Sequence, residues 1–216
     1  MTRHRPSDEL LLDYAAGALP AGPALAVGVH VALEPASRRL VDRLGALAGV
    51  LLESDTGSDL PADALDRALS RLDREPVETR SGAQGEVDGP TWAPAPLRRH
   101  ITQGVRWRRA FGGFERAELD LGGAGHRAAL LKLAPGRGLP MHTHRGEEMT
   151  VVLQGGFTDA SGSYGVGDFC VAGDGEHRPI ADPGEPCIAL IVLERPIVLT
   201  GPVGRLLNPL VGRDLI

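Results

Sequence analysis

Two histidines and a glutamate fall within seven residues of one another in the glycine-bounded stretch Gly136–Gly155, GRGLPMHTHRGEEMTVVLQG. No other feature of the 216-residue chain narrows its possible folds as much. Side chains alternate along an extended strand, so His142 and His144 point to one face and Thr143 to the other. The turn Arg145, Gly146, Glu147 then reverses the chain. Glu148 opens an apolar run, Met149 to Leu153, that reads as the returning strand. Two borderline nitrogen donors thereby come to face a hard oxygen donor, which is the chemistry of a divalent-metal site.

The spacing Gly136-x5-His142-x-His144-x3-Glu148-x6-Gly155 resembles the first motif of the cupin family. Gly167 to His177, GDFCVAGDGEH, is similar to the second. The resemblance implies a small β-barrel with one metal held by three histidines and a glutamate: His142, His144, Glu148 and His177. The second segment departs from the pattern in two ways. Gly173 stands where proline is common, and the approach to His177 is one residue short.

The chain is long enough to bury one sizeable core or two smaller ones. A net charge of -5 and a pI near 5.8 argue against direct contact with nucleic acid, which needs clustered Lys and Arg. The longest apolar runs, Ala24 to Leu33 and Leu44 to Leu52, fall short of the roughly 20 residues of a membrane span. The start, MTRHRPSDE, turns acidic where a signal peptide turns apolar. A soluble, cytoplasmic protein without membrane contact is expected. Cys170 and Cys187 lie in apolar segments and read as small buried hydrophobes, with a redox pair as the alternative if the strands bring them together.

The first seventy residues have a helical period. Ser7 caps a helix that Asp8 and Glu9 favour electrostatically and Gly17 ends, with Leu11, Tyr14, Ala15 and Ala18 on one face. A second helix spans about Pro23 to Leu33, with Leu25, Val29, Ala32 and Leu33 at helical spacing. A third runs from about Ala36 to Glu53 with a stripe of Leu40, Leu44, Leu47, Ala48 and Leu51. Pro61 opens a fourth with Leu65, Leu69 and Leu72. Aromatic residues make up only 4% of the chain, so such a bundle has a thin core and suits an interaction module.

SDELLLDYAAGALP, then ALAVGVHVALEPASRRLVDRLGALAGVLLE and a C-terminal cupin-like segment, resemble the ChrR-type anti-sigma factors over nearly the whole chain. The resemblance implies an N-terminal zinc-binding helical domain that clasps an extracytoplasmic-function sigma factor, and a cupin domain that responds to singlet oxygen or related stress. The family's helical zinc motif is a histidine before the first helix followed by HxxxCxxC. Here His30 matches, but Glu34 and Ser37 occupy the cysteine positions, and Arg5, beside His4, occupies the first histidine position. Serine is a poor substitute for thiolate, so no zinc is expected in this part. An Arg5–Glu34 ion pair, with His30 and Ser37 adding hydrogen bonds, is the expected replacement.

Arg74 to Pro96, rich in Pro, Gly and charge, reads as a linker that lets the two parts change relative position. Beyond it the period shortens. Phe114 to Leu121, His126 to Leu133, Phe169 to Ala172, Cys187 to Leu193 and Ile197 to Leu199 are strand-like. His100 and His126 read as surface or strand-end residues.

The expected architecture is multidomain, α plus all-β: a helical anti-sigma-like domain at 1–75, a linker at 76–96 and a cupin barrel at 97–216. The expected function is a regulator that binds a sigma factor and senses stress through one metal, zinc first, with Fe, Mn or Ni as alternatives. The competing reading is a metal-dependent, dioxygenase-like enzyme whose helical arm makes a homodimer. Glu147 is its only apparent general base, and its place next to Glu148 turns it away from the site.

Overall fold

The computed structural model describes residues 4–74, 90–110, 113–122, 125–173 and 175–201, together with Gly204 and Asn208. Helix α1 (Asp8–Ala15) starts where the Ser7 hydroxyl accepts from the Leu10 N–H at 3.2 Å. It ends at Gly17, whose φ of 69° suits a residue without Cβ. Helix α2 (Ala21–Leu33) gives way within one residue to α3 (Pro35–Glu53), with Pro35 in the first turn and the Glu34 carboxylate accepting from the Ser37 N–H at 2.6 Å. Helix α4 spans Ala64–Arg74 and the short α5 Ala95–Arg98.

Helix α2 is buried almost all round, not along one stripe. Gly22, Pro23 and the whole segment Leu25–Val31 are buried, because α1, α3 and α5 pack on some sides and the barrel on another. A helix apolar on every face satisfies itself only in such a position. The approach to the barrel is close. A Cβ at Gly22 would lie 2.6 Å from His126 Cβ and 2.8 Å from Val192 Cγ1.

Eleven strands among the described residues build the barrel: β1 (Arg108–Arg109), β2 (Glu115–Leu119), β3 (Arg127–Leu133), β4 (His142–Thr143), β5 (Glu148–Gln154), β6 (Gly156–Asp159), β7 (Gly162–Gly165), β8 (Phe169–Ala172), β9 (Ile180–Ala181), β10 (Cys187–Leu193) and β11 (Val198–Leu199). One wall is a six-stranded sheet in the order β1-β2-β3-β10-β5-β8. The pair β11-β4 and the triplet β7-β6-β9 complete the barrel. All pairings are antiparallel.

Strands β3, β5 and β10 read as continuous apolar runs because both faces are covered. On β10, Cys187, Ile191 and Leu193 point into the barrel with Leu131, Leu133 and Phe157. Ile188, Leu190 and Val192 point outward into a cluster with Leu25, Val29 and Leu97. Helices and barrel therefore share one core.

Of the segment expected as a linker, 75–89 lies outside the described residues. Its last part, residues 90–96, is packed instead: Ala93 is buried, and Trp92 meets Trp107 with ring centroids 6.4 Å apart. The apolar stripe of α3 changes character along its length. Leu40 and Leu44 are half-buried, whereas Leu47 and Leu51 are exposed, as are Leu65, Leu69 and Leu72 of α4. Both cysteines are free, on β8 and β10 with β5 between them, so they are not placed to bridge. No helix among the described residues is long and apolar enough to cross a membrane.

Candidate metal centre

Strand β4 carries His142 and leads into His144, both buried. His177 is held beside them by the backbone: the His142 N–H donates to the His177 carbonyl at 3.2 Å and the His177 N–H to the His142 carbonyl at 3.0 Å. The shortened second motif thus still delivers its histidine. The three imidazoles converge through one edge. His177 Nε2 lies 2.9 Å from His142 Nε2 and 2.9 Å from His144 Nε2. Nitrogens that share an ion at about 2.0–2.1 Å stand about 2.9–3.4 Å apart, so the spacing suits a common cation.

Hydrogen bonds on the far side of the rings set the tautomers. His142 Nδ1–H donates to the Pro140 carbonyl at 2.9 Å, and His177 Nδ1–H donates to Asp159 Oδ2 at 3.2 Å. Both Nε2 atoms are then bare lone pairs facing each other, an arrangement that no proton shared between neutral rings satisfies and that a cation does. Burial lowers His142 and His144 to about 4, with neighbouring imidazoles adding to the effect. Both are neutral at pH 7, the state in which imidazole ligates.

Glu148, the fourth expected ligand, sits beside this group and not within it. Its Oε1 accepts from Thr150 Oγ1 at 3.0 Å, and its Oε2 lies 3.6 Å from His144 Nδ1, a buried nitrogen with no hydrogen-bond partner. Burial raises the Glu148 carboxyl, with His177 and the Thr150 hydroxyl opposing the shift. A cation nearby favours the carboxylate. Glu147 is exposed.

Asp159 is the functional candidate that sequence reasoning missed. Its side chain is only 3% exposed. Oδ1 accepts from the Ser161 and Gly162 N–H groups of the β6–β7 turn, while Oδ2 orients His177. In the sequence, Asp before Ala-Ser-Gly signals a turn and nothing more.

The other histidine of interest, His30, is organised differently. It is fully buried in α2, with Nδ1 2.7 Å from the Gly167 carbonyl oxygen and Nε2 2.8 Å from Ser37 Oγ. The expected hydrogen bond between His30 and Ser37 is therefore present, but the expected Arg5–Glu34 pair is not. Arg5 pairs with Asp8 at 2.9 Å, three residues along, and Glu34 caps α3. Local partners win because neither requires a distant loop to close. The same region is stitched to the turn between β7 and β8: the His4 N–H donates to Asp168 Oδ1 at 2.9 Å, and the Phe169 N–H to the His4 carbonyl at 3.0 Å.

A β-barrel whose strands converge three imidazoles, preceded by helices packed on its outer sheet, defines a cupin-containing protein of two parts. Residues 99–195 match the ChrR cupin-like domain family. The chain is 35% identical over 211 residues to Anti-sigma-E factor ChrR of Cereibacter sphaeroides, covering 96% of this chain and 97% of that protein. The crystal structure of Rhodobacter sphaeroides SigE in complex with the anti-sigma ChrR matches with a TM-score of 0.76 and 35% identity, covering 89% of this chain and all of the matched one. The chain belongs to the ChrR family of anti-sigma factors.

Proposed function

We propose that the chain is an anti-sigma factor that binds an extracytoplasmic-function sigma factor through its helices and senses stress at a metal in its barrel. The observation that carries the first half is the exposed leucine face of α3 and α4. Leu52 is 75% and Leu72 70% exposed, and large apolar side chains left uncovered at this density suit a partner site. The likeness to a protein crystallised with SigE supplies the partner class. Residues 1–75 serve as the binding unit, 76–96 as the connection and 97–216 as the sensing barrel, acting in the cytoplasm.

For the second half, the proposed ligands are His142, His144, His177 and Glu148, and the proposed metal is zinc. When bound it would supply a fixed positive charge and a Lewis-acidic centre. The Pro140 carbonyl and Asp159 hold two of the imidazoles with their lone pairs inward, and Glu148 would supply an anionic oxygen. Burial of the group limits water around it.

Co-expression with the extracytoplasmic-function sigma factors of the source genome, followed by purification and metal analysis, tests both halves. The expected result is a stoichiometric complex with one metal per chain. Leu51→Asp with Leu69→Asp should weaken the complex at least about tenfold while metal content stays constant. A wild-type chain that never co-purifies with the sigma factor would overturn the anti-sigma reading. A complex insensitive to the double substitution would overturn the assigned surface.

A further inference from the structure

Next to the imidazole group the barrel interior opens into a cleft. Most of its wall is apolar: Leu131, Ile191, Leu193, Ile197 and Leu199. His142 and Glu148 form part of the same wall. Two guanidinium groups, Arg116 and Arg127, also line it. Both belong to the inward face of the sheet. Arg116 pairs in register with Leu131 and Arg127 with Leu193, whose side chains point into the barrel.

Arg116 is the informative residue. Glu118 pairs with its terminal nitrogen, yet its Nε is buried with no hydrogen-bond partner. A guanidinium N–H without an acceptor is costly in a buried setting, and the one left at Nε suits a carboxylate oxygen. Away from Arg116, Arg127, His142 and Glu148 the lining is apolar. We propose that the cleft binds an apolar monocarboxylate, its head held by Arg116 and its body lying between β3, β10 and β11 alongside His142 and Glu148. The inference deepens the sensing half of the proposed function by naming a ligand class for the same barrel. It does not need the sigma factor.

The test is calorimetric titration of the full-length chain, with metal content measured on the same sample, using octanoate, octan-1-ol and methyl octanoate as probes. Octanoate should bind at least about tenfold more tightly than either uncharged probe. In Arg116→Gln that advantage should fall below about threefold, with octan-1-ol unchanged. Equal binding of acid and alcohol by the wild type, or binding of neither, overturns the proposal. So does an advantage that survives Arg116→Gln but disappears with the metal in His177→Ala, since the carboxylate would then be sitting on the ion. A preparation without metal that still prefers octanoate through Arg116 leaves the cleft standing and sinks the metal reading instead. If Arg116→Gln does not fold, octanoate is compared with its methyl ester in His177→Ala: an advantage kept without the metal supports the proposal, and one lost with it overturns it.

Discussion

His30 and the group His142, His144 and His177 are all largely buried, but their surroundings divide them. Around His30 each ring nitrogen meets a protein oxygen, the Gly167 carbonyl and the Ser37 hydroxyl. In the barrel, the Nε2 atoms of His142 and His144 both meet that of His177. The first arrangement is complete in protein atoms, whereas the second could hold a cation. What separates His30 from the proposed ligands is the chemistry opposite the ring, since burial is common to both.

The sharpest test of this contrast is metal content. His177→Ala should reduce bound metal from one per chain to near zero by mass spectrometry, whereas His30→Ala should leave it unchanged and instead lower the urea midpoint. That second loss should be about 2–4 kcal/mol, because a cavity forms and the Ser37 and Gly167 groups lose their partner. Equal metal loss in both variants would erase the distinction.

The contrast can also be inverted. Arg5→His, Glu34→Cys and Ser37→Cys together restore the donor types of the family's helical motif around His30. The triple variant should take up a second zinc, giving two metals per chain. A count that stays at one would mean that these positions do not meet closely enough to share an ion. The Glu34 cap is lost in this variant, at a cost of about 1 kcal/mol.

A smaller effect is expected one shell out. Asp159→Asn keeps the size and the turn but removes the charge that orients His177. Metal affinity should fall about tenfold in competition with a chromophoric chelator. An unchanged affinity would make Asp159 a turn residue only.

The smallest effect concerns pH. Burial lowers the pKa of His30, with the Gly167 carbonyl pulling partly the other way. The unfolded chain therefore binds the His30 proton first as pH falls. The stability contributed by neutral His30 is complete above its ordinary value of 6.5 and declines below it towards the folded-state value, by at most about 1.4 kcal/mol per pH unit. Urea midpoints of wild type and His30→Gln, compared between pH 7.5 and 5.5, isolate this slope. Parallel curves would show that His30 does not titrate differently on folding.

The meeting of the barrel histidines was legible in the sequence because strand alternation and turn length leave little freedom: His142 and His144 had to share a face, and the apolar run after Glu148 had to return beside them. The limits of β8 and β10 were legible for a related reason, being apolar runs closed by glycine or proline turns. Asp159 was hidden because one carboxylate does two jobs and only the turn leaves a local signature. The Arg5 partner was missed because the positions were matched to a metal motif, while Asp8 offered a nearer anion. The burial of α2 was underestimated. Its apolar residues were assigned to one stripe, although Leu25–Val31 holds no charged residue on any side and only His30 as a polar one, which is the signature of a helix covered all round.

Strand β10 divides the inside of the barrel from the helices with one layer of backbone. Ile191 and Leu193 form wall of the Arg116 cleft, and the residues interleaved with them, Leu190 and Val192, belong to the cluster that receives α2. Val192 in turn packs so closely on α2 that Gly22 leaves no room for a Cβ. A single pleat of β10 therefore separates the cleft from the helix on which α1 and α3 rest.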